Sequence, residues 1–366
     1  MKKLSEVQRI KWRTVFYIVI SWVVFGEMIN MLNYLFLQSI RESGGIDAYN
    51  LNIYFLFTFF VIPLGGLATG GAIVFYLRES FRRYPLGVSF LITVFTILLF
   101  IILLSVPGSL VFNSLSLSLP PWSRKVIAES VKIFRSYTFW YNLVLWELVA
   151  AATIIVLHIN EKYGQGVFFK LLIGKYYRPK VENRIFMFLD IKSSTAIAEK
   201  LGHEKWFRLL NDFYNGITEP ILNCKGDIYQ YVGDEIIVNW TLKKGLPQIN
   251  CINCFFAIKT YISQCSSYYI QQYGVVPFFK ASIHSGNVTV GEIGRIKKEI
   301  IFTGDTLNTS ARIMELCNQY KAELLISKNL LEQLQDQTTC QYKEVGELEL
   351  RGRQQPATIY EVVEIA

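Results

Sequence analysis

Apolar and polar positions fall into two regimes along this chain. Up to about residue 160 the apolar residues form four long runs, at about 14–38, 52–77, 86–112 and 138–157. Each reaches the roughly 20 residues that a helix needs to cross a bilayer, and none keeps a sustained polar face. The pattern predicts four membrane-spanning helices. From Arg184 onward the runs shorten and change period. Residues 185–189 read as a strand, and 195–221 as a helical stretch interrupted at Gly202 and His203, with apolar residues at helical spacing. Two strands at 227–231 and 236–240 flank the Gly233-Asp234 pair, a hairpin signal. A second helix follows at 247–268, then strands at 278–284, 288–292 and 299–302. A helix at 305–317, a strand at 323–326 and a short helix at 328–334 complete the series. Helices laid against a largely antiparallel sheet in this order give an α+β, ferredoxin-like fold.

Charge refines the membrane half. The N-terminal residues (Lys2, Lys3, Arg9, Lys11, Arg13) and the loop holding Arg78, Arg82 and Arg83 are basic. Both therefore belong on the cytoplasmic side, and the 41–50 loop, with one basic residue, belongs outside. Four crossings return the C-terminal half to the cytoplasm. The first run is too long for a signal-peptide core and lacks a small-residue cleavage site, which favours an uncleaved anchor. The 120–137 loop carries Arg124, Lys125, Lys132 and Arg135 although this topology puts it outside; its apolar residues suggest a short helix lying on the membrane surface. Glu27 and Glu147 lie within spans one and four. A carboxyl at that depth faces a partner or the bundle interior, as a sensing or ion-coupled site or as a structural hydrogen-bonding group.

Composition agrees. The 366 residues are 52% hydrophobic and only 18% charged, against about 25% charged in soluble domains. The net charge of +8 comes from residues flanking apolar runs, so it reads as membrane-flanking charge and not as a nucleic-acid surface. All six cysteines fall after residue 220, and in a cytoplasmic domain they stay reduced. Cys251 and Cys254 have no second ligand pair at zinc spacing and read as core or surface thiols. His158 at the membrane edge and His284 at a strand end read as structural. The expected organisation is a transmembrane domain at 1–158, a Gly-interrupted coupling linker at 159–180, and a catalytic domain at 181–366.

The chemistry concentrates where apolar strands end in acids. The run Phe188-Leu189-Asp190-Ile191 ends at one aspartate, and Tyr231-Val232-Gly233-Asp234-Glu235 delivers another. Two such carboxylates can share hard cations whose shells substrate phosphates and water complete. In Gly304-Asp305-Thr306-Leu307-Asn308, continued to Arg312, the amide and the guanidinium lie four residues apart, on one face if helical.

These stretches, with Ile283-His284-Ser285-Gly286 read as a turn between them, resemble in order and spacing the catalytic domain of class III adenylate and guanylate cyclases, over about residues 180–365. The resemblance implies a membrane-anchored enzyme of bacterial type that turns ATP, or in the alternative GTP, into a 3′,5′-cyclic nucleotide and pyrophosphate. A non-catalytic nucleotide-binding module is the other reading. The resemblance also implies two Mg²⁺ or Mn²⁺ ions per site on Asp190, Asp234 and the Ile191 carbonyl. Asn308 would orient the ribose, Arg312 would stabilise the α-phosphate, and Arg351 or Arg353 would grip the outer phosphates. The base-reading positions fall on Gln230 and Ile301, neither of which matches the family's usual adenine or guanine set. Gln can donate and accept, and so can read either base; Ile can only pack. The family's metal and Asn/Arg pairs meet across a subunit interface, so the expected partner is a second copy in a homodimer at the inner or plasma membrane.

Overall fold

The computed structural model describes residues 5–42, 51–77, 84–164, 169, 173–296, 298–334, 340–348 and 357–364. Its backbone contacts divide the chain into two units, one of Gln8–Phe168 and one of Phe169–Ala366 together with Met1–Val7.

The first unit is helical. Its helices are α1 (Glu6–Glu42), α2 (Leu51–Ala72), α3 (Leu86–Leu117), α4 (Arg124–Val131) and α5 (Tyr137–Tyr163). Four of them are long and apolar enough to cross a membrane: Glu6–Ile40, Thr58–Tyr76, Gly87–Leu117 and Phe139–Asn160. α1 starts well before the apolar run because Arg9, Lys11 and Arg13 are good helix formers. The apolar run does not mark where the helix begins. α2 passes into a π-helical turn at Ile73–Leu77, and α2 and α3 carry internal prolines at Pro63 and Pro107. Val15, Ile18, Trp22, Ile97 and Ala150 pack the interior, while Phe16, Leu99 and Leu148 stay exposed. A helix apolar all round suits lipid. The short α4 is present, capped by Ser123. It lies against α3 through buried Val126, and the Ser130 hydroxyl accepts from Asn113 Nδ2 at 3.1 Å. Asn30 Nδ2 donates to Glu27 Oε2 at 3.2 Å. Glu27 Oε1 and both Glu147 carboxyl oxygens have no hydrogen-bond partner among the described residues.

The second unit is an eight-stranded mixed sheet. In chain order it comprises β1 (Lys180–Ile191), α6 (Ser194–Leu201), α7 (His203–Asn223), β2 (Asp227–Val232), β3 (Glu235–Thr241), α8 (Asn250–Gln264), α9 (Ser266–Tyr273), β4 (Phe279–Ile293), β5 (Glu299–Thr303), α10 (Asp305–Tyr320), β6 (Leu324–Ser327), β7 (Cys340–Leu348) and β8 (Ala357–Glu364). The sheet order is β2-β3-β1-β4-β6-β8-β7, with β5 on β4 beyond β6. The first four strands with their two helical crossovers make the ferredoxin-like βαββαβ unit. β1 is buried on both faces: Ile185, Met187 and Leu189 join one core with α7 and α8 residues such as Phe213 and Phe255. Phe186 and Phe188 join the other with Ile313 and Met314 of α10.

Two expectations are corrected here. Ile283 to Gly286 form no turn: β4 runs extended through them for 15 residues. Gly286 is needed because a Cβ there would come within 2.6 Å of the Thr306 hydroxyl on α10, so the glycine serves close packing instead of chain reversal. The short helix after β6 is a single turn, Lys328–Leu331. The C-terminal hairpin of β7 and β8 is an addition that the sequence pattern did not reveal.

Candidate active site

The strand pairing builds the acidic centre. Asp190 is the penultimate residue of β1, and in register it lies opposite Glu235 of β3 on one side and Lys280 of β4 on the other. Asp234 sits in the two-residue turn between β2 and β3. Gly233 takes φ +64° there, as the first central position of a type II′ hairpin requires. The Tyr214 hydroxyl on α7 donates to the Gly233 carbonyl at 2.9 Å and pins this turn; the Tyr214 and Tyr231 rings lie 4.6 Å apart.

The structure therefore brings Asp190 and Asp234 together. Burial pushes the Asp190 carboxyl above its usual value, and its hydrogen-bonding contact with Asp234 pushes it further; Lys280 acts the other way. Lys280 Nζ lies 3.1 Å from Asp190 Oδ2 and donates to Asn318 Oδ1 at 3.1 Å. Burial, with the nearby Asp190 and Asp234 charges, raises the Glu235 carboxyl to about 7. The Tyr214 phenol is pushed upward by burial and then by the same acids.

A cluster in which carboxylates oppose one another is electrostatically suited to cations. Among the described residues no three His, Cys, Asp or Glu side chains form a metal-holding group. The Asp190–Asp234 pair is an open set, which fits Mg²⁺ or Mn²⁺, since such ions take one or two carboxylates and leave the remaining positions to phosphates and water. Ile191, the last residue of β1, follows Asp190 directly and is 1% exposed. Lys280 is the member that the sequence reading missed. Its signal is a lysine inside the apolar run of β4, at 8% exposure.

The other candidates occupy separate places. Asn308 and Arg312 lie one turn apart on α10; Asn308 is exposed and Arg312 partly so. Neither takes a hydrogen bond or ion pair among the described residues. Gln230 follows a bulge in β2, at which register shifts between Ile228 and Gln230, and its side chain is exposed. Ile301 is half-buried on β5 opposite Gly291. The neighbours of these two meet: Phe302 N donates to the Tyr229 hydroxyl at 3.2 Å, and their rings lie 5.0 Å apart. Arg351 and Arg353 lie outside the described residues. His284 is buried with Nδ1 2.7 Å from Ser327 Oγ, away from the acids, and Cys251 and Cys254 are fully buried in the α8 core.

A family profile, that of the adenylate and guanylate cyclase catalytic domain, matches residues 176–363. The chain is similar to adenylate cyclase 2 of Rhizobium meliloti (strain 1021), at 34% identity over 219 residues, 60% of this chain and 60% of that protein. It is also similar to adenylate cyclase 1 of the same bacterium, at 26% identity over 183 residues, 48% of this chain and 27% of that one. It thus spans less than two thirds of the one relative and about a quarter of the other. A solved bacterial light-regulated adenylyl cyclase superposes with a TM-score of 0.52 at 19% identity, covering 62% of this chain and 66% of that one. That likeness is one of fold.

Proposed function

Because the matched segment makes up half of its length, the chain belongs to the adenylate and guanylate cyclase catalytic domain family, and from that premise we propose that it is a membrane-anchored adenylate cyclase, converting ATP into 3′,5′-cyclic AMP and pyrophosphate. The observation that carries this reading is the convergence of Asp190 and Asp234 at adjacent strand ends. In the reaction the ribose 3′-oxygen bonds to the α-phosphorus while the bond to the bridging oxygen of pyrophosphate breaks. Asp190, Asp234 and the Ile191 carbonyl would hold two Mg²⁺ or Mn²⁺ ions, which when bound supply acidification of the 3′-hydroxyl and neutralisation of the triphosphate. Lys280 keeps the Asp190 carboxylate aimed and offsets its repulsion by Asp234. The Arg312 guanidinium, a planar fork that matches phosphate oxygens, stabilises charge at the α-phosphate. Asn308 holds the ribose. Arg351 or Arg353 grips the outer phosphates.

Gln230 reads the base edge and Ile301 packs the ring face. The relatives named as adenylate cyclases support adenine. Because the Gln230 amide can both donate and accept, a guanylate cyclase is the second reading. Asn308 and Arg312, whose side chains take no partner among the described residues, are free to serve the acids of a second copy, so the active form is a homodimer with two equivalent sites. Four apolar helices support anchorage in the inner or plasma membrane, with the N-terminus and the 181–366 domain in the cytoplasm, where ATP is, joined through 159–180 to a membrane domain at 1–158.

The test is product analysis of the purified full-length chain, given ATP and GTP side by side with Mg²⁺ or Mn²⁺. Cyclic AMP and pyrophosphate from ATP, in excess over cyclic GMP from GTP, are expected. Predominant cyclic GMP would move the assignment to guanylate cyclase, and neither product with either ion would overturn the enzyme reading.

A further inference from the structure

The helical unit contains a cavity for which cyclase chemistry has no use. It has a volume of about 880 Å³ and is lined by residues of α1, α2, α3, α4 and α5, all within Gln8–Phe168. On α1 the lining runs from Trp22 to Leu37. At about 1.5 Å per residue the cavity extends roughly 20 Å along the bundle, a large part of the roughly 30 Å hydrocarbon depth.

Its walls are of two kinds. Trp22, Ile97, Phe112 and Trp146 supply apolar surface. Amides and hydroxyls, among them Asn33 and Thr58, supply hydrogen-bonding groups. Asn30 is 3% exposed and fully engaged, donating to Glu27 and accepting from the Thr58 hydroxyl at 2.7 Å. Asn33, one turn further along, takes no hydrogen bond among the described residues. An amide in hydrocarbon surroundings without a partner costs free energy until something bonds to it. The charged lining residues Glu129 and Lys132 neutralise each other at 2.6 Å. Among the described residues the lining therefore carries no unpaired counter-charge.

The shape is not a packing accident of bulky neighbours, for the helix seam is built from small residues. A Cβ placed on Gly65, which lines the cavity, would meet nothing within 4 Å. The space is open on one side and lies between helices that otherwise pack against one another. A volume of several hundred cubic ångströms, mostly apolar with a few placed polar groups, is the character of a small-molecule site.

We propose that this cavity binds a small neutral amphiphile drawn from the lipid phase. Its apolar chain lies along Trp22, Phe112 and Trp146, and its hydroxyl or carbonyl head bonds to Asn33. A charged head would find no free counter-ion. The proposal rests on the four helices lying in a bilayer and not on turnover, so binding is its readout.

The experiment uses the full-length chain in lipid nanodiscs and a photoreactive diazirine analogue of 1-decanol, with labelled peptides mapped by mass spectrometry. Saturable labelling within residues 22–37 and 58–69 is expected. Unlabelled 1-decanol should suppress it at lower concentration than decanoate or decyltrimethylammonium, whose charges would enter the cavity unpaired, and at about tenfold lower concentration than decane, the scale of one hydrogen bond's discrimination. Gly65→Leu, which projects an isobutyl group into the space beside Gly65, should weaken saturable labelling severalfold. Asn33→Leu, an apolar change that a membrane helix tolerates, should erase the preference of 1-decanol over decane. Labelling that rises without saturation and spreads over lipid-facing residues such as Phe16 and Leu99, or that both variants leave unchanged, would overturn the proposal.

Discussion

Asp190 and Asp234 face each other, and among the described residues only Lys280 offsets their repulsion. Burial and the Asp234 contact raise the Asp190 carboxyl; a carboxyl raised on folding withdraws stability as pH rises from its unfolded value through its folded one, so near neutrality Asp190 works against the fold. Asp234→Asn removes one charge and keeps the shape. Turnover should fall by at least about 100-fold, because a cation ligand is lost. In EDTA the same variant should melt about 2–4 °C higher, the shift that about 1 kcal/mol produces in a unit of this size. Added Mg²⁺ should raise the melting temperature of the wild type but not of Asp234→Asn. Calorimetry with and without Mg²⁺ decides it, and a wild type indifferent to Mg²⁺ would remove the cation from the site. The two aspartates were legible because each closes an apolar run. Lys280 was not, because its role comes from register: it lies opposite Asp190 only once β1 and β4 are paired, a relation between residues ninety positions apart.

At the scale of elements, two junctions carry measurable weight. Where α7 crosses α8, a Cβ on Gly216 would fall 2.5 Å from the Tyr261 ring. Replacing a mid-helix glycine with alanine ordinarily stabilises by about 0.5–1 kcal/mol. Here overpacking reverses the sign, so Gly216→Ala should destabilise by about 1–3 kcal/mol, read as a lower urea midpoint with unchanged slope. At the start of β6, burial pushes the Glu323 carboxyl up, but hydrogen bonds and charge from Lys259 and Lys192 outweigh it and hold the carboxyl below its usual value. A depressed carboxyl contributes stability above its unfolded pKa of about 4.3 and loses it as pH falls through the folded value. The group is 45% exposed, so screening keeps the effect small. Glu323→Gln should cost less than about 1 kcal/mol at pH 7, and the difference should close as pH is lowered through the acid range. A melting-temperature gap that widens on acidification would contradict the pairing. The helix–strand order of the ferredoxin-like core was readable because its periods alternate between about 3.6 and 2. The β7–β8 hairpin was not: Cys340 to Leu348 mixes charged and apolar positions, and its strands are defined by pairing with each other and with β6.

At the scale of the whole molecule, the distribution of partners decides the assembly. The acids at the strand ends are mutually engaged, whereas Asn308 and Arg312 stand on α10 with none of the described residues to bond. A twofold pair of chains, the commonest oligomer, would set the acids of one copy against the amide and guanidinium of the other. Co-expressing Asp190→Ala and Arg312→Ala chains tests this arrangement. Either variant alone has two damaged sites and should be inactive. In a random mixture half of the dimers are mixed, and each mixed dimer has one site with intact Asp190 from one chain and intact Arg312 from the other. Its second site holds both defects. Restored activity should therefore approach about a quarter of the wild-type value, because isologous pairing makes the two sites equivalent. Purification through two different tags leaves only mixed dimers, and their activity should rise to about half of the wild-type value. If both residues served the same chain's site, no mixture would recover turnover, and the shared-site dimer would be wrong even with the acids correctly assigned.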